Sequence, residues 1–333
     1  MRRLLALIFW PIAALFRLVR WIIYGSVAPD AGIPTSGVFV DLDRGRSVAY
    51  RVWQPFWIEK GDPPKPVVIF SHGLGGSKDG APYLGRALAE AGYWGFFIQH
   101  RGSDAGVIED LDGGAAVAEA LLASIMNIDN MVNRFADLPF VLDELERLNS
   151  EDGPFQGLLD LDNIGMAGHS YGARSVLTAA GQVMGAAGTQ FADDRIRAGL
   201  ALSPTAGRGL GDDEMLPPEH FAMIAIPILH VTGTEDRPPM GDAGFDPAIR
   251  TLPYQMIPAE EQYLLVFDGA AHDDFSGTTA RGKPATDTRY TMITAEVALL
   301  FFDAYLKDNE AAWTNLRGTL AEHLDPGDHF EYR

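Results

Sequence analysis

Apolar residues recur along this chain in short runs, separated by glycine- and proline-rich turns and by stretches of helical period. Residues 37–43 and 46–53 alternate apolar and polar positions across Asp43-Arg44-Gly45, which predicts a β-hairpin. Residues 67–70, 93–98, 163–167, 198–202, 226–231 and 262–267 are nearly continuous apolar runs, the pattern of strands covered on both faces. Helical patterns lie between them. Residues 83–91 stop at Gly92, and residues 134–149 put Phe135, Leu138, Val141, Leu142, Leu145 and Leu148 on one face. Residues 173–180 predict a small-residue helix, 287–307 a helix packed back on the sheet, and 310–324 a further helix before a polar tail. Residues 105–130 form a long connection whose part 115–128 is apolar and helix-like. It either walls a pocket or belongs to the core. Eight strands interleaved with helices predict an α/β class: a mostly parallel sheet with helices on both faces and no large separate cap domain.

The first thirty residues read differently. Residues 4–24 are apolar except for Arg17 and Arg20, and the uncharged run 4–16 is too short to span a bilayer core of about 30 Å. On a wheel of about 100° per residue, Arg2, Arg3, Arg17 and Arg20 share one arc of roughly 100° with Trp10, Trp21 and Tyr24. The leucines and isoleucines lie outside that arc. This predicts a helix in the plane of a membrane interface, through residues 1–24, with Pro11 as a kink. Two alternatives stand beside it. One is a transmembrane anchor with snorkelling arginines. The other is a signal peptide cleaved after Ser26-Val27-Ala28, against which Arg17 and Arg20 count by lying between the apolar run and that site. Pro29, Gly32 and Pro34 mark a linker over 31–36.

Composition narrows the chemistry. The chain has 333 residues, 47% hydrophobic, and no cysteine, which excludes disulfides, thiolate nucleophiles and Cys-ligated metals. The formal charge is −19. Setting aside the first thirty residues, which hold four arginines and one aspartate, leaves 22 basic against 44 acidic side chains, or −22. Such a body repels nucleic acid and anionic lipid. No nucleic-acid partner is therefore expected.

The chain is organised around Gly168-His169-Ser170-Tyr171-Gly172, which follows a predicted strand and opens a predicted helix. That G-x-S-x-G turn forces the central serine into a strained conformation, exposes its hydroxyl and leaves the next N–H at a helix N-terminus. In this context the chain resembles the α/β-hydrolase family, over about residues 37–307. Serine needs a base, an acid to orient that base, and oxyanion donors. The resemblance implies the chain order Ser, acid, His. Asp236, past the seventh strand, is then the acid, chosen over Glu235 and Asp242. His272, past the eighth, is the base. The resemblance also makes the backbone N–H groups of Leu74 and Tyr171 the oxyanion pair, with Leu74 in the loop Ser71-His72-Gly73-Leu74-Gly75-Gly76. His72 reads as a brace for that loop and His230 as a core histidine. His100 and Asp104 either line the site or hold their loop.

Within the family, Phe70 to Gly75, His100-Arg101-Gly102-Ser103-Asp104 and Arg134 to Leu138 are similar to the platelet-activating-factor acetylhydrolase and dienelactone-hydrolase-like branch. The chain departs from it in two ways. Those acetylhydrolases take their acid after the sixth strand, where this chain has Ser203-Pro204, and dienelactone hydrolases use cysteine where this chain has serine. The resemblance implies a serine esterase or lipase-like enzyme acting on a small-molecule or lipid ester, with no metal or organic cofactor. A peptidase or amidase of the same fold is the alternative, and an inactive membrane-associated binding protein a further one. The organisation expected is a membrane-associating or signal segment (1–30), a linker (31–36), a catalytic domain (37–307) and a C-terminal helix and tail (308–333).

Overall fold

The computed structural model describes residues 34–56, 58, 61–150, 154–207, 215–238, 245–277 and 288–333. The N-terminal segment 1–30, the first half of the linker (31–33) and Asp242 lie outside the described residues.

Nine strands form one sheet: β1 (Thr35–Asp41), β2 (Arg46–Trp53), β3 (Lys65–Ser71), β4 (Trp94–Gln99), β5 (Leu159–His169), β6 (Ile196–Leu202), β7 (Ile228–Glu235), β8 (Gln262–Ala271) and β9 (His329–Tyr332). Their order is β1-β2-β4-β3-β5-β6-β7-β8-β9. The six central strands, from β4 to β8 in that order, run parallel, whereas β1, β2 and β9 pair antiparallel at the two edges. The main helices are α1 (Pro82–Glu90), α2 (Gly114–Met126), α3 (Ile128–Asn149), α4 (Tyr171–Ala179), α5 (Leu252–Met256), α6 (Arg289–Leu306), α7 (Glu310–Thr314) and α8 (Leu320–His323).

The continuous apolar runs have a direct physical reason. In β3, Val68 and Phe70 enter a core built with α1 and α6, while Val67 and Ile69 enter the opposite core under α3 and α4. A central strand covered on both faces has no polar side to display. The predicted helix at 134–149 starts earlier, at Ile128, where the Asn127 side chain accepts from the Asn130 N–H at 3.1 Å.

Two expectations at the C-terminus are corrected. The helix predicted over 310–324 is interrupted by a π-turn at Asn315–Thr319 between α7 and α8. The tail is also not merely polar: β9 adds a ninth strand, pairing Tyr332 with Tyr263 and Phe330 with Leu265. Aromatic stacking fixes it there, with Tyr263 and Tyr332 ring centroids 5.7 Å apart, and Arg317 donates to the Tyr263 hydroxyl at 2.8 Å.

Candidate active site

The parallel strands deliver their loops to one edge of the sheet, the edge at which ligands bind in open α/β folds. Ser170 stands there between β5 and α4 with φ 55° and ψ −112°. Two glycines make this turn sterically accessible. A Cβ on Gly168 would meet the Gly172 carbonyl oxygen at 2.2 Å, and one on Gly172 would meet the Ser71 carbonyl oxygen at 1.9 Å. The Ser170 N–H donates to the Leu202 carbonyl at 2.8 Å and ties the turn to β6.

His272 follows β8 directly, and its Nε2 lies 2.9 Å from Ser170 Oγ. Its Nδ1 lies 2.7 Å from Asp236 Oδ1, on the loop past β7. Asp236 is fully buried, and its other oxygen accepts from the Thr232 hydroxyl at 2.8 Å. Burial alone raises its pKa. The hydrogen bond with His272 and the charge of Arg250 outweigh that and hold the carboxyl well below the usual carboxylate range. An ionised carboxylate only accepts, so Nδ1 carries the proton and Nε2 presents its lone pair to the serine hydroxyl. Ser170, His272 and Asp236 are thus brought together in the order hydroxyl, imidazole, carboxylate. Glu235 is exposed, and its carboxylate lies 3.8 Å from Arg237. Ser203 occupies the end of β6, with φ 54° and its N–H bonded to the Val231 carbonyl.

Tyr171 opens α4, and no side chain caps that helix. Among the described residues, no hydrogen bond uses the N–H of Tyr171 or of Leu74. Both residues line a cleft with Ser170, Ile125, Phe245, Arg174 and Arg250.

Three further buried histidines hold the site rather than face the cleft. His72 Nδ1 donates to the Gly73 carbonyl at 2.6 Å, and Nε2 accepts from the His100 N–H at 3.0 Å. His100 lies 3.0 Å from both Ser71 Oγ and Asp137 Oδ2. Asp104 accepts from Gln99 at 2.7 Å and bridges to Gly76, so it too holds its loop. His169 Nε2 donates to the His272 carbonyl at 3.0 Å.

Two arginines carry more than the sequence suggested. Arg134 is fully buried in α3. It donates to Ser71 Oγ (2.9 Å), Ser103 Oγ (2.8 Å), Ser175 Oγ (3.1 Å) and the His72 carbonyl, and its guanidinium lies 4.4 Å from the Tyr171 ring centroid. One side chain therefore joins the Leu74 loop to the helix that starts at Tyr171. Its signal in the sequence was a charge on the apolar face of α3, a position also taken by Asp137. Arg250, on a short turn before α5, reaches Asp236 Oδ1 (3.3 Å) and the Ser203 carbonyl (3.1 Å). Its Nη2 lies 3.3 Å from His272 Nδ1, an electrostatic neighbour rather than a donor, because that nitrogen already carries a proton. Nothing in the local sequence announces Arg250. Among the described residues no cluster of His, Asp and Glu is arranged to hold a metal ion.

No protein-family model matches the chain, and no curated protein matches it either. Solved structures do. A ferulic acid esterase from Streptomyces cinnamoneus aligns with 89% of this chain and 94% of its own, at 18% identity and a TM-score of 0.56. A putative dienelactone hydrolase from Klebsiella pneumoniae aligns with 82% of this chain and 99% of its own, at 17% identity and a TM-score of 0.55. An acylaminoacyl peptidase from Pyrococcus horikoshii aligns with 87% of this chain at 19% identity and a TM-score of 0.56. The alignment spans 44% of that longer protein. At such identities the likeness is one of fold, and the fold is that of the α/β-hydrolases.

Proposed function

We propose that this α/β-hydrolase-fold chain is a serine hydrolase of carboxylic esters. The observation that carries the reading is the hydrogen-bonded series from Ser170 Oγ through His272 to Asp236, set at a positive-φ serine turn. In this mechanism His272 Nε2 takes the Ser170 proton as Oγ attacks the ester carbonyl. The negative charge on the tetrahedral oxygen falls between the Leu74 and Tyr171 N–H groups. The imidazolium gives its proton to the leaving alcohol, and Asp236 stabilises the charged ring and fixes its tautomer. Water then enters, His272 removes its proton, and the acyl group leaves as the acid.

Residues 1–24 are proposed to attach the enzyme to a membrane, the ester being a small molecule or a lipid. A fluorophosphonate probe tests the class: the wild-type chain labels at Ser170 and Ser170→Ala does not. Labelling that persists in Ser170→Ala, or its absence from the folded wild type, overturns the reading. Matched ester and amide substrates then separate esterase from amidase.

A further inference from the structure

Helix α2 carries its apolar residues on the wrong side for a soluble surface. Of its residues only Glu119 is charged, and only Leu121 and Ser124 are buried. Its outward face presents Ala115, Leu122, Ala123 and Met126, which recur at helical spacing beside that one acid. The face continues around the bend at Asn127, where the axes of α2 and α3 differ by 68°, onto Ile128 and Val132. Met126 and Ile128 are each 70% exposed and Leu122 is 49% exposed. Single exposed apolar side chains are ordinary, but a contiguous corner of them is not. No single helix among the described residues is long and apolar enough to cross a membrane, and α3 buries its own apolar face on the sheet.

The corner is continuous with the candidate site. Ile125, on the same helix, lines the cleft with Ser170. Leu121 packs where a Cβ on Gly75 would come within 3.0 Å, so the underside of α2 rests on the Leu74 loop. We propose that this corner, Leu122, Met126, Ile128 and Val132, docks on a zwitterionic lipid surface and turns the mouth of the cleft toward it.

Charge and reach select that occupant. Glu119 and Asp129 on the two helices, and Glu109, Asp110 and Asp112 on the loop before α2, are all exposed, which disfavours an anionic leaflet and leaves a neutral one. The described residues also begin within reach of the corner. Arg44, at the turn after β1, donates to the Asn133 carbonyl at 3.2 Å, one residue from Val132. The seven residues of β1 span about 23 Å from there back to Thr35. Residues 25–34 reach at most about 33–36 Å when extended. That length is enough for a segment lying in an interface to share the plane of the corner, which would give the bilayer two contacts.

The test uses the full chain, whose lack of cysteine makes single labels clean. Met126→Cys, Ile128→Cys and a control, Met292→Cys on α6, each carry an environment-sensitive fluorophore and are mixed with phosphatidylcholine vesicles. The expected result is a blue shift at 126 and 128, quenched by nitroxide lipids, with the label at 292 unchanged. Vesicle binding without a shift at 126 and 128 overturns the proposal. So does a blue shift before vesicles are added, which would mean that residues 1–33 or a second copy cover the corner. A shift only with phosphatidylglycerol overturns the choice of a zwitterionic surface. In a second arm, Met126→Glu with Ile128→Glu is expected to lower turnover of a vesicle-borne ester by about tenfold or more, leaving a short soluble ester unaffected. Only this arm rests on the esterase reading. Loss of that reading shows as no soluble-ester turnover in the wild type, whereas loss of docking shows in the labels.

Discussion

Lowering the pH from 8 to 5 is expected to remove about 6 kcal/mol of stability from the folded chain through His100, His169 and His230, with His72 acting in the same direction. Besides His272, four imidazoles are buried among the described residues: His72, His100, His169 and His230. Burial is the largest cause of depression in all four, since a charged ring loses its hydration there. The Arg134 charge pushes His72 and His100 further down, and neighbouring His272 does the same to His169. His100 is lowered to about 4, and His169 and His230 to about 3. In the unfolded chain each regains an ordinary value of about 6.5. The folded value is the lower one, so the unfolded state binds more protons at mildly acid pH. The contribution is complete above about pH 6.5 and is lost as pH falls toward the folded values, at about 1.4 kcal/mol per unit per histidine. At pH 5 that is about 2 kcal/mol for each of His100, His169 and His230, together a large share of a typical total of about 5–15 kcal/mol. Asp236 and Asp137 also have depressed values, but they act only below about pH 4 and leave this window clear. Urea unfolding followed by circular dichroism at half-unit steps from pH 8 to 5 gives the slope, and proton uptake on unfolding gives it independently. His230→Gln, at a ring that meets Gln262 and Tyr254 rather than the triad, is expected to flatten the slope by about 1.4 kcal/mol per pH unit. Uptake of fewer than two protons between pH 6 and 5 would refute the assignment of these rings as neutral and inaccessible.

Ser170→Ala is expected to lower ester turnover by about 10⁴-fold or more with the fold intact, and adding His272→Ala is expected to cost little more because the two act as a unit. More than a tenth of wild-type activity in folded Ser170→Ala contradicts the mechanism. Asp236→Asn is expected to lose on the order of 10⁴ in kcat, with Glu235→Gln and Asp242→Asn near wild type at matched folding. A mild Asp236→Asn would move the acid to another loop. A chain beginning near Thr35 is expected to keep its turnover of short soluble esters and to lose flotation with vesicles, a sedimentation and activity measurement on one preparation. N-terminal sequencing that finds Pro29 first in protein from cells would replace attachment by export.

Local signals and distant ones divided sharply in this chain. The central strands were legible because burial on both faces leaves an unbroken apolar run, and the serine turn because only glycine fits beside the Ser71 and Gly172 carbonyls. Asp236 and His272 could be found because strand ends fix where loops emerge, and their 2.7 Å contact joins residues 36 positions apart. Features made by contacts across the fold were not legible. Strand β9 is four residues long with two charged or polar side chains, too short to show a period. Its place depends on Tyr263 and Arg317, which a reading of residues 329–332 does not contain. Arg134 and Asp137 were visible as charges on an apolar helix face, but their partners come from β3, the loop past β4 and α4. Helix α2 shows the limit of periodicity itself. The pattern at 115–128 reports an apolar helix and is silent about which side meets the core. The structure turns Ile125 into the cleft and Leu122 and Met126 outward, so the two readings left open for this segment, pocket wall and core, omitted the face that matters for docking. A hydrophobic stripe is evidence of burial against something, and only the surrounding fold says whether that something belongs to the same chain.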